Sequence, residues 1–473
     1  MSNSGKGINL LKNFGTLTIG QFSTKVLNFL LVPLYTYVLS TKEYGSYDFV
    51  STVVSVLIPI LTLNIYDGAG RYSIGEELDR KQVFSISLKW LIIATISCCL
   101  LALCLFLGLD LFGLGVYWHY LVMLFVVNAL VGVLTIFVRG LEQIRTIAIA
   151  GVVGSGSIVG LNLLFLLVLG LGLDGYFLAN IIGLAIQCIY IVISAELWRY
   201  ITLKLDRVIE RRMLGYSIPM ITNTVSWWVN DLSDRLIVSY FCGLAANGIY
   251  AVAYKIPAIM NMITGVFSQA WTLSAVRDFD PADSDGFFKR SYDSYACLTM
   301  LACSFLILLD IPISSVMFSN EFSNAWVYVP PLLISAVFGA LSGFIGAFFT
   351  AIEDAGSFAR TAVSGAVANL TLNVVLVPTV GPMGAAVATA ISSFLIWFLR
   401  IIRIRKVMLF TLSARREVVV TVILVLQSII ICTATRIPFI IYLVELLLFI
   451  CNLYIYRLQL KYLYDKVRMR DKA

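Results

Sequence analysis

The chain has 473 residues, of which 60% are hydrophobic and 13% charged, and its mean hydropathy is +0.91. A soluble globular protein carries about 25% charged residues, so this composition excludes a water-soluble protein and requires a large lipid-facing surface. The net charge of +7 needs no nucleic-acid partner, because the placement of the basic residues in membrane topology accounts for it.

Cysteine and histidine give no sign of a metal site or a disulfide framework. The nine cysteines lie in or at the ends of apolar segments without a CxxC pair, and His119 is the single histidine. Such cysteines most often act as small apolar residues in a helix bundle. The chain also lacks a phosphate-binding P-loop and any histidine-based or serine-based catalytic constellation. We therefore expect neither a cofactor nor an enzymatic activity.

Fourteen apolar segments are long enough to cross a membrane as helices, which takes roughly 20 mostly apolar residues. We number these predicted spans 1 to 14, at 13–39, 44–65, 83–109, 117–138, 145–170, 176–198, 213–241, 248–276, 291–316, 325–350, 357–380, 383–402, 417–435 and 438–460. They are too continuous for the alternating strands of an outer-membrane barrel. The predicted fold class is an all-α polytopic membrane protein whose first span is retained rather than cleaved as a signal peptide.

The basic residues predict how the spans are oriented. If the N-terminus is cytoplasmic, all but five of the 34 Lys and Arg residues lie in or beside cytoplasmic segments. The opposite side then holds Lys42 and Arg436, and Lys25, Arg235 and Lys255 lie inside predicted spans. Cytoplasmic loops of membrane proteins are enriched in Lys and Arg, so we expect both termini in the cytoplasm, with attraction to anionic lipid headgroups as a further consequence.

The chain repeats itself over six spans. At an offset of 203 residues span 1 aligns with span 7, and YGSY at 44–47 aligns with NGIY at 247–250. Three further pairs align at offsets of 209 to 211 residues: Glu142 with Glu353, Asn162 with Asn373, and Gly175 with Gly384. A repeat in the same orientation predicts two pseudo-symmetric six-helix lobes related by an axis along the membrane normal. We expect these lobes at 1–205 and 206–412, followed by 413–473, which holds the two extra helices of spans 13 and 14 and a cytoplasmic tail.

Span 1 carries a polar stripe with a cation at its centre. Gln21, Lys25 and Asn28 are spaced i, i+4 and i+7 and therefore share one helix face. Such a stripe cannot face lipid, so we expect it to line a cavity in which Lys25 binds an anion. The alternative is a structural pair with Asp48 on span 2, although a rise of 1.5 Å per residue separates the two groups by roughly 15 Å in depth.

Spans 7 and 8 hold the charged residues Asp231, Asp234, Arg235 and Lys255. Charges at membrane depth are costly, and their default interpretation is functional. Asp234 and Lys255 lie at matching depth and could form an interhelical salt bridge, while Asp231 and Arg235 could pair at i, i+4. The quartet is then either neutral and structural, or it is opened by a substrate anion that competes for Arg235 or Lys255.

Uncharged polar residues lie on the same predicted helix as this quartet. Asn223, Trp227 and Asn230 share a face with Asp234, a mixture that suits a wet wall in contact with sugar. Asn223 and Asn230 are therefore candidate substrate-binding residues.

Further charged residues lie at the predicted cytoplasmic ends of spans. Arg71, Arg139 and Arg360 lie at the mouths of spans 2, 4 and 10, where most arginines only fix the topology. Arg71 is a further candidate for anion binding. Glu142 and Glu353 occupy equivalent loops and, together with Arg139 and Arg360, are candidates for holding a cytoplasmic gate.

Two remaining acids stand apart from these groups. Asp310 and Glu445 are isolated near the ends of predicted spans, and we assign them no role.

Three blocks of the sequence together resemble a known family. They are NFGTLTIGQFSTKVLNFLLVPLYTYVLSTKEYGSYDFV, the pair Asp234-Arg235 followed by NGIYAVAYKI, and LVPTVGPMGAAVATAIS. Their spacing over nearly the whole chain is similar to that of the polysaccharide flippases of the multidrug, oligosaccharidyl-lipid and polysaccharide exporter superfamily.

This resemblance implies a transporter rather than an enzyme. Members of that family move polyprenyl-diphosphate-linked oligosaccharides, such as O-antigen or other surface polysaccharide repeat units, from the cytoplasmic to the periplasmic leaflet of the bacterial inner membrane. They do so by alternating access between two lobes. The implied partners are the lipid-linked glycan, membrane lipids, and the polysaccharide polymerase and chain-length machinery, with no nucleic acid.

The resemblance also implies where the cargo is held. Related lipid flippases place cations on helices 1, 2 and 8, and Lys25 and Lys255 fill the first and third of these places. Helix 2 departs from the pattern, since it offers Asp48 inside and a basic residue only at its end, Arg71. A diphosphate is a dense anion that cations in a partly dry cavity bind strongly, so we expect Lys25 to hold the diphosphate at mid-membrane and Arg235 or Lys255 to supply a second cation.

Two alternative functions remain at this point. A drug or metabolite exporter of the same fold favours organic cations and a net acidic cavity, which Lys25 argues against and Asp231 and Asp234 weakly favour. A non-transport membrane protein such as a polysaccharide polymerase usually carries a large periplasmic loop, and no predicted loop on that side exceeds about a dozen residues.

Overall fold

The structure, a computed structural model, describes residues 25–27, 29–74, 78–108, 114–277, 279–409, 413–433 and 438–470. These residues are almost all helical, and none of the described ranges contains a strand. The helices are α1 Val32–Val38, α2 Thr41–Leu61, α3 Ile65–Ser73, α4 Arg80–Phe106, α5 Trp118–Gly140, α6 Ile144–Asn162, α7 Gly172–Ser194, α8 Arg207–Cys242, α9 Leu244–Ala253, α10 Lys255–Arg277, α11 Phe287–Leu308, α12 Asp310–Met317, α13 Val329–Ala351, α14 Ala355–Val380, α15 Pro382–Ile404, α16 Ala414–Cys432, α17 Pro438–Ile455 and α18 Arg457–Arg470. The predicted all-α class is confirmed.

Most of the predicted spans are helices of transmembrane length. Within the described ranges nine helices are long and apolar enough to cross a membrane, and eleven if two bent pairs each count as one span. These eleven coincide with predicted spans 2 to 6, 8 to 12 and 14. Span 1 lies largely outside the described residues, α8 at span 7 is less apolar, and α16 at span 13 has three charged residues in its first turn. The protein is a multi-pass membrane protein, and the number fourteen stays a prediction.

The chain divides into two compact units, Met1–Trp228 and Val229–Ala473. The division falls inside α8, so the first half of this continuous helix belongs to the first unit and its second half to the other. The predicted lobe boundary between residues 205 and 206 lies just before α8 and stays a prediction.

In the first unit, α8 is attached by a polar stripe along one of its faces. Glu210 accepts hydrogen bonds from Lys89 Nζ at 2.6 Å and from Trp90 Nε1 at 2.9 Å. Three more hydrogen bonds follow along the same face of α8, one to two turns apart. Ser217 Oγ accepts from the Gly68 N–H, Thr224 Oγ1 accepts from Asn64 Nδ2, and Trp228 Nε1 donates to Ser55 Oγ. A Cβ at Gly68 would lie 2.5 Å from the Ser217 hydroxyl and 3.2 Å from the Met213 carbonyl oxygen, so this close approach favours glycine.

In the second unit, α13 is the central helix, because nearly all of its length is buried. It packs against α10, α11 and α15. Trp271 stacks on Phe344 with ring centroids 3.9 Å apart, and its Nε1 donates to the Phe344 carbonyl at 2.9 Å. Arg400 is 1% exposed, and its Nη1 donates to the Ser342 carbonyl at 2.7 Å. This hydrogen bond to a neutral carbonyl meets part of the hydrogen-bonding need of the buried guanidinium.

The two units contain the same turn at the offset that the sequence repeat predicts. After α5, Glu142 adopts the left-handed conformation with φ +62, and after α13 the aligned Glu353 does so with φ +56. The backbone hydrogen bonds of the two turns match one for one at an offset of 211 residues. In the first turn the N–H groups of residues 141, 142 and 143 donate to the carbonyls of 137, 139 and 138, and in the second turn those of 352, 353 and 354 donate to the carbonyls of 348, 350 and 349.

The helices that follow these turns also match. Asn162 Nδ2 donates to the carbonyl four residues earlier at 2.8 Å, and the aligned Asn373 does so at 2.9 Å. Gly154 lies against Gln187 on α7, and Gly365, 211 residues later, lies against Ile396 on α15. Repeated local structure of this kind is what two pseudo-symmetric lobes require.

Candidate functional site

Asp234 on α8 is a buried acid of the second unit whose two carboxylate oxygens both accept hydrogen bonds. Its Oδ2 accepts hydrogen bonds from Tyr250 Oη at 2.6 Å, Tyr254 Oη at 2.7 Å and Thr389 Oγ1 at 3.5 Å, and its Oδ1 accepts the Arg235 N–H at 2.9 Å. The side chain is 1% exposed. Hydrogen bonds from several donors stabilise a buried carboxylate, and the charge of Arg235 adds a favourable electrostatic interaction.

This site lies beside a broken span. α9 ends at Ala253 and α10 begins at Lys255, with a bend of 41° between them. Pro257 explains the break, because proline has no N–H for the carbonyl of Ala253 four residues earlier and its ring clashes with that carbonyl. Broken membrane helices expose backbone groups and charges where they line a cavity, and here the break presents Lys255 at its centre.

Two cations, Arg235 and Lys255, follow residues of this site directly in the sequence, Arg235 after Asp234 and Lys255 after Tyr254. The guanidinium of Arg235 lies over the Tyr254 ring, 5.1 Å from its centroid, an arrangement that stabilises a cation. Lys255 is half-buried at the start of α10. The structure places Asp234 against tyrosine hydroxyls and forms no Asp234–Lys255 salt bridge among the residues it describes. The side chain of Asp231 lies outside the described part.

Polar side chains of α14 and α15 extend the site. Asn369 Nδ2 donates to Thr389 Oγ1 at 3.3 Å and to Ser392 Oγ at 3.1 Å, and Asn373 Nδ2 donates to Asn369 Oδ1 at 3.0 Å. Asn230 Nδ2 donates to the Ala362 carbonyl on α14 at 3.3 Å. The predicted wall residue Asn230 therefore faces α14.

The donor atoms of this cluster suit hard cations rather than transition metals. Across the described ranges, no three His, Cys, Asp or Glu side chains gather in a way that could hold a metal ion. The carboxylate of Asp234, the hydroxyl of Thr389 and the amide of Asn369 supply oxygen ligands, which alkali and alkaline-earth ions prefer.

The first unit has its own buried carboxylate among tyrosines. Asp48 on α2 is 6% exposed and interacts electrostatically with Tyr35, Tyr47 and Tyr176. Tyr47 meets Tyr176 edge to face with ring centroids 4.5 Å apart. Both units therefore place an acid at a tyrosine cluster, and Tyr47 and Tyr250 are aligned residues of the repeat.

The remaining candidates for anion binding lie apart from this cluster or outside the described residues. Lys25 is helical and exposed, Arg71 is exposed in the last turn of α3, and Asn223 is exposed on α8. Gln21 and Asn28 lie outside the described residues. The stripe predicted around Lys25 therefore stays a prediction.

The four gate candidates lie at the two matching turns. Glu142, Glu353, Arg139 and Arg360 are all exposed. The described residues show no ion pair between these acids and arginines; Arg360 instead donates to the Gly356 carbonyl of its own helix at 3.2 Å. Their gating role stays a prediction.

The ion pair at the second turn joins two other residues. Arg403 Nη2 lies 3.2 Å from Asp354 Oδ2, and its Nε donates to Ser357 Oγ at 2.8 Å. Hydrogen bonds from Ser357 and the Arg403 cation lower the pKa of Asp354.

Sequence reasoning missed the tyrosines that hold Asp234. Tyr250 on α9 and Tyr254 directly after its last residue are spaced i, i+4 in NGIYAVAYKI, and a helical spacing of this kind places both on one face. That spacing, next to an acid on the preceding span, was the available signal. The lysine that follows Tyr254 attracted the pairing hypothesis instead.

Comparison with known proteins adds to this geometry. Residues 10–272, more than half of the chain, match the family described as "Polysaccharide biosynthesis protein". The chain is 25% identical over 187 residues to "Probable low-salt glycan biosynthesis flippase Agl15" from Haloferax volcanii. That match covers 38% of the chain and 39% of the length of this relative.

Solved structures share the fold over most of the chain. The lipid II flippase MurJ in an inward closed conformation aligns with a TM-score of 0.66 and 13% identity, covering 95% of this chain and 99% of that one. An inward-facing multidrug resistance transporter of the MATE family aligns with a TM-score of 0.67 and 15% identity, covering 81% and 95%. At such identities the likeness concerns the fold alone.

Proposed function

The chain belongs to the polysaccharide biosynthesis protein family, and from that premise we propose that it is a flippase for lipid-linked glycans. Its cargo is a polyprenyl-diphosphate-linked oligosaccharide, such as an O-antigen or another surface polysaccharide repeat unit. It carries this cargo from the cytoplasmic to the periplasmic leaflet of the bacterial inner membrane by alternating access. It acts as a transporter rather than an enzyme, with both termini in the cytoplasm.

The observation that carries this proposal is the pair of cations beside a broken membrane helix. Arg235 and Lys255 lie in membrane helices, while the nearby acid Asp234 accepts hydrogen bonds from two tyrosine hydroxyls. A cation presented at the break of a membrane helix is suited to a diphosphate, because broken helices carry charged groups where they line a cavity. The name of the archaeal relative, a glycan biosynthesis flippase, supports the same cargo class.

The first test replaces Lys255. A charge-assisted hydrogen bond contributes about 1.5–3 kcal/mol, so Lys255→Gln should lower glycan export roughly 10-fold to 100-fold, and Lys255→Arg should retain much of it. Export is measured as surface glycan in a strain that lacks the chromosomal gene, at equal protein levels. Lys289→Gln, which removes an exposed lysine in the first turn of α11, is the matched control.

The charge-swapped variant distinguishes cargo binding from an ion pair. Because Asp234 contacts Tyr250 and Tyr254, the double variant Asp234→Lys with Lys255→Asp should be inactive. Restored export in the double variant would mean that the two residues act as a salt bridge and would remove Lys255 from cargo binding.

Lys25 is the second proposed cation. Charge should matter more than shape at this position, so Lys25→Arg should retain much activity, Lys25→Gln little and Lys25→Glu none. Full export by the Gln variant would exclude Lys25 from the mechanism.

The deletion strain decides between the candidate functions. A flippase defect leaves the undecorated lipid-linked repeat unit on the cytoplasmic leaflet, whereas a polymerase defect leaves single repeat units at the outer surface. Export of a drug or metabolite with normal surface glycan would identify an exporter instead. The polymerase and chain-length machinery are the proposed partners, and co-purification with the flippase tests them.

A further inference from the structure

A buried acid in the appended helices has almost no partner. Glu445 on α17 is 0% exposed, and Gln427 Nε2 on α16 donates to its Oε2 at 2.9 Å. Its other oxygen, Oε1, is buried and accepts no hydrogen bond from the residues the structure describes. An ionisable side chain at membrane depth points to a function by default.

Glu445 ends a chain of hydrogen bonds across three helices. Asn452 Nδ2 on α17 donates to Ser304 Oγ on α11 at 3.0 Å, and Ser304 Oγ donates to Gln427 Oε1 at 2.7 Å. Gln427 then donates to Glu445. All four side chains are fully buried, so each bond lies in a medium of low dielectric where it is strong and where an unpaired group is costly.

The hydrogen bonds of this chain can be donated in either direction. As it stands, every donor points toward Glu445, which suits a charged carboxylate. If Glu445 carries a proton, its O–H can donate to Gln427 Oε1, Gln427 Nε2 to Ser304 Oγ, and Ser304 Oγ to Asn452 Oδ1, because a hydroxyl rotates and an amide can flip. Asn452 Oδ1 is buried without a partner in the described structure, and the reversed direction would satisfy it.

Charged groups do not fix the state of Glu445. Gln427 is the one side chain found to interact with its carboxyl group within the described ranges. The titratable side chains on the parts of α17 and its neighbours near Glu445 are Cys303 on α11, Asp310 on α12, Cys432 on α16, Tyr442 and Cys451 on α17, and Tyr456 between α17 and α18. Asp293, Arg416 and Glu417 lie toward the opposite ends of α11 and α16. An isolated buried charge is costly, whereas a neutral carboxyl group is not.

We propose that Glu445 is a reversible proton-binding site, and that the chain Gln427–Ser304–Asn452 reverses its direction when the proton binds or leaves. The proton is the ligand, and it adds to one carboxylate oxygen and departs from it without any other bond being made or broken. Both states leave α11, α16 and α17 joined by hydrogen bonds, so the helices stay together while the direction of the bonds between them changes.

A second buried acid provides a matched control. Glu417 on α16 is 2% exposed and accepts a hydrogen bond from Tyr292 Oη at 3.0 Å. Trp397 Nε1 in turn donates to Tyr292 Oη at 3.0 Å. Tryptophan can only donate, so this shorter chain has one direction, and its neighbour Arg416 pairs with Asp293.

The first experiment titrates Glu445 directly in the purified full-length protein. Dicyclohexylcarbodiimide modifies protonated carboxyl groups in apolar surroundings, and mass spectrometry of the Glu445 peptide measures the adduct between pH 5 and pH 9. We expect labelling that falls about tenfold for each pH unit above its midpoint, and its loss in Glu445→Gln. Glu417→Gln should leave the Glu445 titration unchanged.

The titration also reports whether Gln427 is coupled to the proton. Gln427→Leu removes the donor to the charged form, where a hydrogen bond is about twice as strong as in the neutral form, and should move the midpoint up by about one pH unit. Labelling that is absent, or equal at every pH, would overturn the proposal, since a permanently protonated structural acid gives a constant signal.

The second experiment rests on the proposed flippase function and asks whether the proton drives it. Vesicles containing the protein are given a lipid-linked glycan with and without a pH gradient, and translocation is measured. The wild type and Glu417→Gln should respond to the gradient, whereas Glu445→Gln should translocate equally with and without it. An unchanged response to the gradient in Glu445→Gln would exclude this coupling. If none of the proteins translocates the glycan, the result counts against the flippase function, and the labelling titration alone then decides whether Glu445 binds a proton.

Discussion

Asp234 and Glu445 are both fully buried acids in membrane helices of the second unit, yet their surroundings are opposite. Asp234 accepts two short hydrogen bonds from tyrosine hydroxyls, a longer one from Thr389 and one from a backbone N–H. Glu445 accepts one, from Gln427, in the described structure. The difference shows that burial alone does not decide how strongly an intramembrane acid is held: the number and the fixed direction of its hydrogen-bond donors do.

The largest effect is expected from removing the better-satisfied acid. Asp234→Ala removes the acceptor of the Tyr250 and Tyr254 hydroxyls, and only the 3.4 Å bond from Tyr250 Oη to Tyr254 Oη remains between them. Each buried hydroxyl left without a good acceptor costs about 1–3 kcal/mol. Glu445→Ala strands one amide donor and should cost less. Thermal unfolding of the detergent-solubilised variants measures both, and equal losses would break the comparison.

Single hydroxyl deletions sharpen the same point. Tyr250→Phe and Tyr254→Phe each remove one donor to Asp234 and should lower stability by about 1–2 kcal/mol. Tyr250 is 0% exposed whereas Tyr254 is half-buried, so Tyr250→Phe should have the larger effect. A double-mutant cycle with Asp234→Asn isolates each pair, and the interpretation fails if no coupling is found.

A smaller change is expected from neutralising the poorly satisfied acid. Glu445→Gln keeps the shape and a hydrogen bond to Gln427, so its effect on stability should be about 0.5 kcal/mol or less. The same unfolding measurement applies, with Glu445→Leu as the variant that removes the hydrogen bond. A loss as large as that of Asp234→Ala would mean that the charged form of Glu445 is structural.

The smallest effect concerns an acid outside the membrane helices, at the start of α14. Hydrogen bonds from Ser357 and the Arg403 cation lower the pKa of Asp354 below its usual 3.8, so the stabilisation is present above pH 3.8 and is lost as the pH falls through the lower value in the folded protein. Asp354→Asn should change Tm by about 1 °C or less at pH 7, and the difference should vanish in acid. A difference that persists there would assign the effect to helix capping rather than charge.

The sequence predicted the helices better than it predicted their contacts. Continuous apolar runs located the spans, and the repeat located two turns that match bond for bond. Pro257 marks the break in span 8, which the span boundaries alone did not reveal. These features depend on local chemistry, which a single sequence carries.

The partner of Asp234 depended on helix rotation, which a single sequence does not carry. Tyr254 and Lys255 are adjacent and lie at nearly the same depth, but neighbouring residues on a helix point about 100° apart. Matching depth therefore could not choose between a tyrosine and a lysine. Glu445 was set aside for a related reason, since its network joins residues of three helices that are far apart in the chain.

The polarity of α8 has a consequence for how the protein enters the membrane. This helix of 36 residues carries Asp231, Asp234 and Arg235 in its second half, and it is not among the described helices that are apolar enough to span alone. Each charge at the centre of a lone helix opposes insertion by about 2.5–3.5 kcal/mol. The tyrosines that satisfy Asp234 lie on α9 and directly after it, so they are synthesised later. We therefore expect α8 to insert efficiently only after α9 has been synthesised, with the two helices entering the bilayer as a pair.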